Sequence, residues 1–405
     1  MTSVNCAPDD GVAKQLPSAG AVALLLIALA MGGFAIGVTE FAAMSILPDF
    51  AKGLGVDEPT ASHAISAYAA GVVVGAPILA AFGARLPRWI LLIGLMGLFA
   101  VGNALSAMSP NFETMLVFRF LSGLPHGAYF GVAALVAAAA VPLKFRTRAV
   151  STILMGLTVA TVLGVPVVNL ISQAHGWRWT FGIVGVLAVL TMTLVAMFAP
   201  RDPAHPDASP LRELSALRNR QVWLTLGVSA IGFGGMFAIY AFLASTLREV
   251  TNVGPDMLPW VFAVFGVGMF SGNILGAWAG DRFGFPAAAG LLVWSAIALA
   301  FYPLASQHLW SMFIVVLCIG AGGGLGSILQ TRLMDVAGEA QTLAAALNHS
   351  AFNTANALGP LLAGMTVAAG FGWASTAWVA VALTLGGLAI WTWAWLDGRK
   401  RLAPA

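Results

Sequence analysis

One long apolar stretch of the sequence, residues 112–141, contains side chains that could carry a charge or a proton. Arg119, Gly123 and His126 recur there at helical spacing, so they share one face of a predicted helix. The insertion of an arginine near the centre of a bilayer costs at least about 2.5–3.5 kcal/mol of free energy. An arginine in such a segment is therefore expected to have an interaction partner and a functional role. A structural arginine that bonds carbonyl groups between helices is the alternative interpretation.

Glu40 is the only acidic residue well inside an apolar segment. It lies eight residues before Pro48, and Arg119 lies eight residues after Asn111. At about 1.5 Å per residue, both are expected about 12 Å below the same surface, which makes an ion pair between them plausible. Burial favours a protonated carboxyl group and a nearby arginine favours the carboxylate, so the pair could act as a switchable proton carrier. A static buried pair, or a glutamate that faces lipid headgroups, is the alternative.

His126 is a second titratable candidate. It lies seven residues after Arg119 on the same helix face, and we expect it to relay protons. His349, in a later apolar segment, is a weaker candidate. A hydrogen-bonded histidine without a role in proton transfer is the alternative for both.

Composition restricts the class of protein. Of the 405 residues, 59% are hydrophobic and only 9% are charged, whereas about 25% are charged in a typical soluble domain. An integral membrane protein is therefore predicted. The net charge of +3 does not indicate a nucleic-acid partner, because the basic residues fall in short loops. Cys6 and Cys318 indicate neither a disulfide framework nor a metal site.

Twelve apolar segments are long enough to cross the hydrocarbon, which takes roughly 20 residues. We number them as spans 1 to 12, and they fall at residues 20–46, 59–82, 88–107, 112–140, 149–172, 178–199, 221–247, 257–280, 286–306, 308–331, 341–368 and 373–396. The first span is too long for the core of a cleaved signal peptide. Fifteen Lys and Arg residues lie in one set of loops and tails and three in the other, so both termini are predicted to be cytoplasmic.

The longest polar segment divides the spans six and six. We predict a cytoplasmic tail over 1–19, a six-helix bundle over 20–199, a linker over 200–220, a second bundle over 221–396 and a tail over 397–405. The halves also resemble each other, because Gly71 and Gly75 in span 2 match Gly268 and Gly272 in span 8 at an offset of 197 residues. A duplicated bundle around a midplane site is typical of transporters.

Four segments resemble the major facilitator superfamily, in its twelve-span drug:proton antiporter branch, and most closely the bacterial arabinose and sugar efflux permeases. They are Gly37-Val38-Thr39-Glu40-Phe41, Gly71 to Pro77, Arg119 to Gly131 and Gly156 to Pro166. The resemblance implies an all-α integral membrane fold of two six-helix bundles that alternates access. It also implies export of a small sugar-like or drug-like molecule in exchange for a proton, with the span 4 arginine beside the proton pathway.

The resemblance assigns Gly156, Gly164 and Pro166 to an antiporter motif that shapes a tight helix interface, although Val165-Pro166 and the few later glycines depart from the family pattern. It also predicts a cytoplasmic gate between two loops. The first, with Arg85 and Arg88, lacks the usual acidic residue, whereas the second keeps Asp281 and Arg282. We expect Tyr68, Tyr129, Asn169 and Tyr240 to line the substrate cavity, and interhelical hydrogen bonding is the alternative for each.

We therefore expect a multi-pass, monomeric exporter in the bacterial cytoplasmic (inner) membrane. Its partners would be a small molecule, protons and the lipid bilayer, without nucleic acid, cofactor, metal or enzymatic activity. Proton chemistry is expected in the first bundle, because span 10 has no charge that matches Arg119. A proton-coupled importer of the same fold and a non-transporting membrane receptor remain as alternatives.

Overall fold

Apolar segments that cross lipid must satisfy every backbone hydrogen bond internally, and helices do so within one segment. The computed structural model describes residues 18–83, 85–142, 145–203, 217–337 and 341–402, and within those ranges the regular structure is entirely helical. Residues 1–17 of the predicted tail, 204–216 of the predicted linker and 403–405 at the end lie outside the described residues.

The twelve predicted spans are present as helices. Their bounds are Ala19–Ser45, His63–Gly83, Arg88–Ala107, Phe112–Ala139, Arg146–His175, Arg178–Phe198, Arg220–Glu249, Leu258–Phe283, Pro286–Ala305, Leu309–Ala337, Gln341–Ala368 and Thr376–Leu402. Span 5 contains a π-helical turn at Ala160–Gly164, span 7 is interrupted at Phe233, and span 10 contains a 3-10 turn at Gly322–Gly324. The last helix continues to Leu402 and so includes part of the predicted C-terminal tail.

Eleven of the described helices are long and apolar enough to cross a membrane by length and composition. The twelfth, Gln341–Ala368, has 28 residues, which exceeds the roughly 20 that a crossing needs. It is less apolar because its sequence includes Asn348, His349, Asn353 and Asn356. Polar residues inside a span are expensive in lipid and usually face the interior of a bundle.

Spans 1–6 pack together, as do spans 7–12, and the two bundles meet where spans 1, 2, 4 and 5 contact spans 7, 8 and 11. Because each bundle has an even number of spans, the first described residue, Ser18, and the last, Leu402, lie at one face of the molecule, which we call the termini face. The other end is the opposite face. Two short helices, Leu47–Leu54 and Glu58–Ala61, join spans 1 and 2 there.

The internal repeat predicted from the sequence is present in the packing. Gly71 of span 2 lies against the carbonyl oxygen of Phe120 in span 4, and Gly268 of span 8 lies against that of Leu317 in span 10. Both members of the second pair follow the first by 197 residues. The same offset relates two further sets of neighbours: Gly75 with Leu124 to Gly272 with Ala321, and Gly123 with Tyr68 to Gly320 with Phe265. Small residues let the helix backbones approach closely in both halves.

Candidate functional site

Arg119 of span 4 is buried and is held by three other spans of the first bundle. Its guanidinium group donates hydrogen bonds to the hydroxyl oxygen of Thr39, at 3.0 Å, and to the Thr39 carbonyl oxygen, at 3.5 Å. It also lies over the rings of Tyr68, 4.3 Å from the centroid, and Phe181, 5.2 Å from the centroid. The Thr39 hydroxyl donates in turn to the side-chain oxygen of Asn103, at 2.7 Å. A planar guanidinium group suits this combination of stacking and paired donors.

Glu40 of span 1 reaches the second bundle. Its side chain is 1% exposed, and its Oε1 accepts a hydrogen bond from Nδ2 of Asn356 in span 11, at 3.0 Å. Its other oxygen, Oε2, is buried without a hydrogen-bond partner. This contact joins the bundles through a carboxyl group and a neutral amide.

The predicted ion pair between Glu40 and Arg119 is wrong for this conformation, because no ion pair links these two described side chains. Arg119 bonds the preceding residue, Thr39, instead. Equal depth was not sufficient, because successive residues point about 100° apart around a helix of 3.6 residues per turn. Thr39 faces span 4 and Glu40 faces span 11.

His126 also lies where the bundles meet. Its Nδ1 atom is 3.0 Å from the Tyr68 hydroxyl oxygen, and its ring centroid is 6.0 Å from that of His349 in span 11. The His349 ring stacks on Phe130 of span 4, with centroids 4.8 Å apart and planes 5° apart. The two histidines identified in the sequence therefore come together from opposite bundles.

These contacts form one polar layer across the interface, which we call the interbundle network. It runs from Asn356 to Glu40 and Thr39, then through Arg119, Tyr68 and His126 to His349. The second bundle thus contributes Asn356 and His349 to this network. That proton chemistry belongs to the first bundle stays a prediction. The helical spacing of His349, Asn353 and Asn356 was the sequence signal that could have indicated this face.

The four predicted cavity residues do not lie together. Tyr129 is directed into the first bundle, where its hydroxyl donates to the Leu29 carbonyl oxygen, at 2.8 Å. Asn169 is directed toward the end of span 1, where it donates to the Ser45 carbonyl oxygen, at 3.1 Å. Tyr68 belongs to the interbundle network.

Tyr240 is the remaining predicted cavity residue, and it lies at the bundle interface. Its ring meets Phe41 of span 1 edge-on, with centroids 5.4 Å apart, and it packs against Phe262 and Phe265 of span 8. Its hydroxyl group is buried without a hydrogen-bond partner. Tyr68 and Tyr240 are therefore the two cavity candidates at the interface.

The glycines of the predicted antiporter motif pack against span 1. Gly156 lies against the carbonyl oxygen of Ala30, and a Cβ atom at Gly164 would lie 2.6 Å from the Val38 side chain. Pro166 follows directly at the start of the next helical segment of span 5. This tight packing fixes the span that carries Glu40.

The predicted gate residues are not joined in this conformation. Arg85, Asp281 and Arg282 are exposed at the termini face, and the backbone N–H of Arg88 donates to Asp202, at 3.2 Å. No hydrogen bond or ion pair connects the two loops in the described part of the chain. The proposed latch is therefore a prediction for another state of the molecule.

At the opposite face, charged and polar contacts hold the bundles together. Arg248 of span 7 forms a bidentate ion pair with Asp49, with both N–O distances 3.1 Å, and Ser245 donates to Glu58. Deeper in the interface, the Ser66 hydroxyl donates to the Ala357 carbonyl oxygen, at 3.1 Å. The described structure is therefore closed at the opposite face.

Arg119→Lys is expected to lower the thermal stability, although it preserves the charge. A lysine cannot bond both Thr39 acceptors while it stacks on Tyr68, and a hydrogen bond to a charged group contributes about 1.5–3 kcal/mol. The melting temperature in detergent measures the effect. Arg178→Lys is the matched control, because Arg178 donates to one carbonyl oxygen at the periphery. Equal behaviour of the two variants would contradict the assigned role of Arg119.

The ion pair between Asp49 and Arg248 is expected to stabilise the closed opposite face by about 0.5–1 kcal/mol, because both side chains are partly exposed. Asp49→Arg and Arg248→Asp should each lower the melting temperature, and the double exchange should recover most of the loss. A double-mutant cycle on the detergent-purified protein measures the coupling. If the exchanged pair melts no higher than the single variants, the two side chains do not stabilise this face through their ion pair.

Two six-helix bundles that meet at an interface with buried polar side chains are the architecture of membrane transporters, whose site lies between the bundles. The family model described as Major Facilitator Superfamily matches residues 29–250 and 226–405. The chain belongs to the major facilitator superfamily, which is a family of membrane transporters and not of enzymes.

Similarity to individual proteins agrees with this assignment. The chain is 36% identical to the inner membrane transport protein YdhP of Escherichia coli (strain K12), over 86% of this chain and 90% of that protein. It is 34% identical to a chloramphenicol resistance protein of Streptomyces lividans, over 89% and 94% of the two chains.

A solved bacterial homologue of the human lysosomal transporter Spinster, in an inward-facing and unoccupied conformation, shares the fold. The TM-score is 0.69, at 17% identity, and the alignment covers 96% of this chain and 100% of that one. At this identity, the likeness concerns the fold alone.

Proposed function

We propose that this transporter exports a small sugar-like or drug-like molecule in exchange for protons, by alternating access between its two bundles. Glu40 takes up and releases the proton, Arg119 biases its protonation through the neighbouring Thr39, and His126 relays protons toward the termini face. Export of a drug-like molecule is consistent with the relative named as a chloramphenicol resistance protein.

One observation carries this proposal. The Glu40 carboxyl group is buried between the bundles, with Oε1 bonded to Asn356 and Oε2 free to accept a proton. A group in this position can change its protonation state only when the bundles move apart and admit water. Proton uptake and bundle movement are therefore coupled by burial.

We further propose that the termini face is cytoplasmic and that the opposite face is outside, because the loops and tails of the termini face hold most of the basic residues. The structure is then closed at its outer face. A monomer suffices for this mechanism, since the interbundle network is complete within one chain.

A substrate screen tests the proposal. An efflux-deficient bacterial host that expresses the full chain is expected to tolerate higher concentrations of the exported compound and to accumulate less of it. Inverted membrane vesicles with an imposed proton gradient then determine the direction, because an exporter concentrates the compound inside them. Accumulation in whole cells would indicate an importer. A receptor that does not transport would tolerate neutral residues at Glu40 and Arg119 without loss of function.

A further inference from the structure

The hydrogen bond between Glu40 and Asn356 leaves one acceptor unused on each side chain. Glu40 Oε2 and Asn356 Oδ1 are both buried without a hydrogen-bond partner, although Nδ2 of the same amide donates to Oε1 of the same carboxyl group. Two acceptors cannot satisfy each other. A buried polar atom without a partner costs about 1–3 kcal/mol, so this arrangement is incomplete.

We infer that Asn356 of the second bundle is the positioning residue that distinguishes protonated from ionised Glu40, and that protonation strengthens the closed opposite face. The inference rests on the proposed proton-carrying role of Glu40.

The step that completes the pair is a single protonation. One proton from water adds to Oε2 of Glu40, and the new O–H donates to Oδ1 of Asn356. Nδ2 of Asn356 continues to donate to Oε1, so the acid and the amide form a cyclic pair with two hydrogen bonds. No other bond forms or breaks. A carboxylate can make only one of these two bonds, because it has no O–H to donate.

The sign of the pH dependence follows from this difference. The closed state offers the protonated carboxyl group one hydrogen bond more than it offers the carboxylate. Protonation therefore favours the closed state, and the closed fraction should rise as the pH falls. A net contribution of one hydrogen bond corresponds to roughly a 3- to 10-fold change in the ratio of closed to open molecules.

Most other ionisable groups near the bundle interface would not close the opposite face in acid, and Glu58 is the exception that needs its own control. The charged or titratable neighbours of Glu40 are Arg119 and Tyr68, and spans 5, 6, 7 and 11 present groups without charge to this region: Gly164, Phe181, Tyr240 and Asn356. At the opposite face, Asp49 pairs with Arg248, and the attraction between the bundles would weaken if either charge were lost. This ion pair is therefore not a source of closure in acid.

His126 and His349 also meet across the interface, and positive charge on both would push the bundles apart in acid. Glu58 is a further acid at the bundle interface, where it accepts a hydrogen bond from Ser245. Burial, with the nearby carboxylates of Asp49 and Glu249, raises its pKa, so protonation of Glu58 would also favour closure. The Glu58→Gln variant separates its effect from that of Glu40.

Spin labels across the opposite face measure the proposed effect. Lys52→Cys and Asp256→Cys place exposed labels on different bundles, in full-length protein that also carries Cys6→Ser and Cys318→Ala. Double electron–electron resonance at pH 8 and pH 5, in lipid nanodiscs, gives the populations of short and long distances. We expect the ratio of short to long distances to rise about 3- to 10-fold in acid.

Variants separate Asn356 from its neighbours. Asn356→Leu should remove the acid-induced closure, whereas Asn353→Leu, on the same face of span 11, should retain it because Asn353 Nδ2 bonds only its own helix, at the His349 carbonyl oxygen. Glu40→Gln should stay closed at both pH values, since its amide can form two bonds with Asn356 at any pH. Glu58→Gln should behave like the unmodified chain.

The outcomes distinguish this inference from the proposed function. If Asn356→Leu is folded, monodisperse and still closes in acid like Asn353→Leu, Asn356 does not sense the proton and the inference is overturned. If Glu40→Gln retains proton-coupled transport, the proposed function itself is wrong. Opening of the unmodified face in acid would also overturn the inference, and would point to Asp49 or to the histidines.

Discussion

Glu40→Gln is expected to abolish the exchange of substrate for protons while folded protein remains in the membrane. Glutamine has nearly the same shape as glutamic acid, and its carbonyl oxygen can still accept the hydrogen bond from Asn356. It cannot release a proton at any physiological pH. The change therefore removes the titration and retains the contact between the bundles.

Gradient-driven transport is measured in inverted membrane vesicles that contain the variant. A pH gradient should drive accumulation of the transported compound with the unmodified chain and should drive none with Glu40→Gln. Downhill exchange of labelled for unlabelled compound, without a pH gradient, reports whether the binding site survives. Glu58→Gln is the matched control, because Glu58 is another acid at the bundle interface. Normal gradient-driven accumulation by Glu40→Gln would refute the proposed role.

Gly123→Ala is expected to be the most destabilising of the single-methyl changes considered for span 4. A Cβ atom at Gly123 would collide with the carbonyl oxygen of Tyr68 in span 2, and backbone of span 2 cannot move aside as a flexible side chain can. Forced repacking of this kind typically costs about 1–3 kcal/mol. Displacement of Tyr68 would also disturb the ring on which Arg119 stacks.

The same helix provides the control. Gly131 has no atom within 4 Å of the position of an added Cβ, so Gly131→Ala should melt like the unmodified chain or slightly higher. Gly320→Ala tests the duplicated position, since a Cβ there would meet the carbonyl oxygen of Phe265. Melting temperatures of detergent-purified protein should fall for Gly123→Ala and Gly320→Ala. Equal melting of the Gly123 and Gly131 variants would show that span 2 tolerates the methyl group.

The fold was largely predictable because its main determinant is local. A span must be apolar over about 20 residues, and this requirement is visible in the sequence whatever the neighbouring spans are. The repeat was visible for a similar reason, since Gly71 and Gly268 must be small wherever backbones touch. Span 11 was recognisable by length, although its polar residues make it the least apolar of the twelve.

The pairing of side chains was less predictable. Depth along a helix follows from residue number, but direction around the helix decides the partner, and this depends on how the bundles are packed. The sequence placed Glu40 and Arg119 at the same depth and predicted an ion pair between them. In the structure, Arg119 donates a hydrogen bond to Thr39, and Glu40 accepts one from Asn356. The hydrogen bond between Glu40 and Asn356 joins residues 316 positions apart in the chain. It depends on how the two bundles dock, and no local sequence pattern encodes that.

The duplicated glycine contacts between spans 2 and 4, and between spans 8 and 10, have a consequence for leakage. At these positions backbone lies directly on backbone within each bundle, so there is no room for water between the paired helices. Such contacts favour movement of each half as a rigid body. Under the proposed exchange mechanism, protons would cross at the interface that holds Glu40 and not through the body of either half.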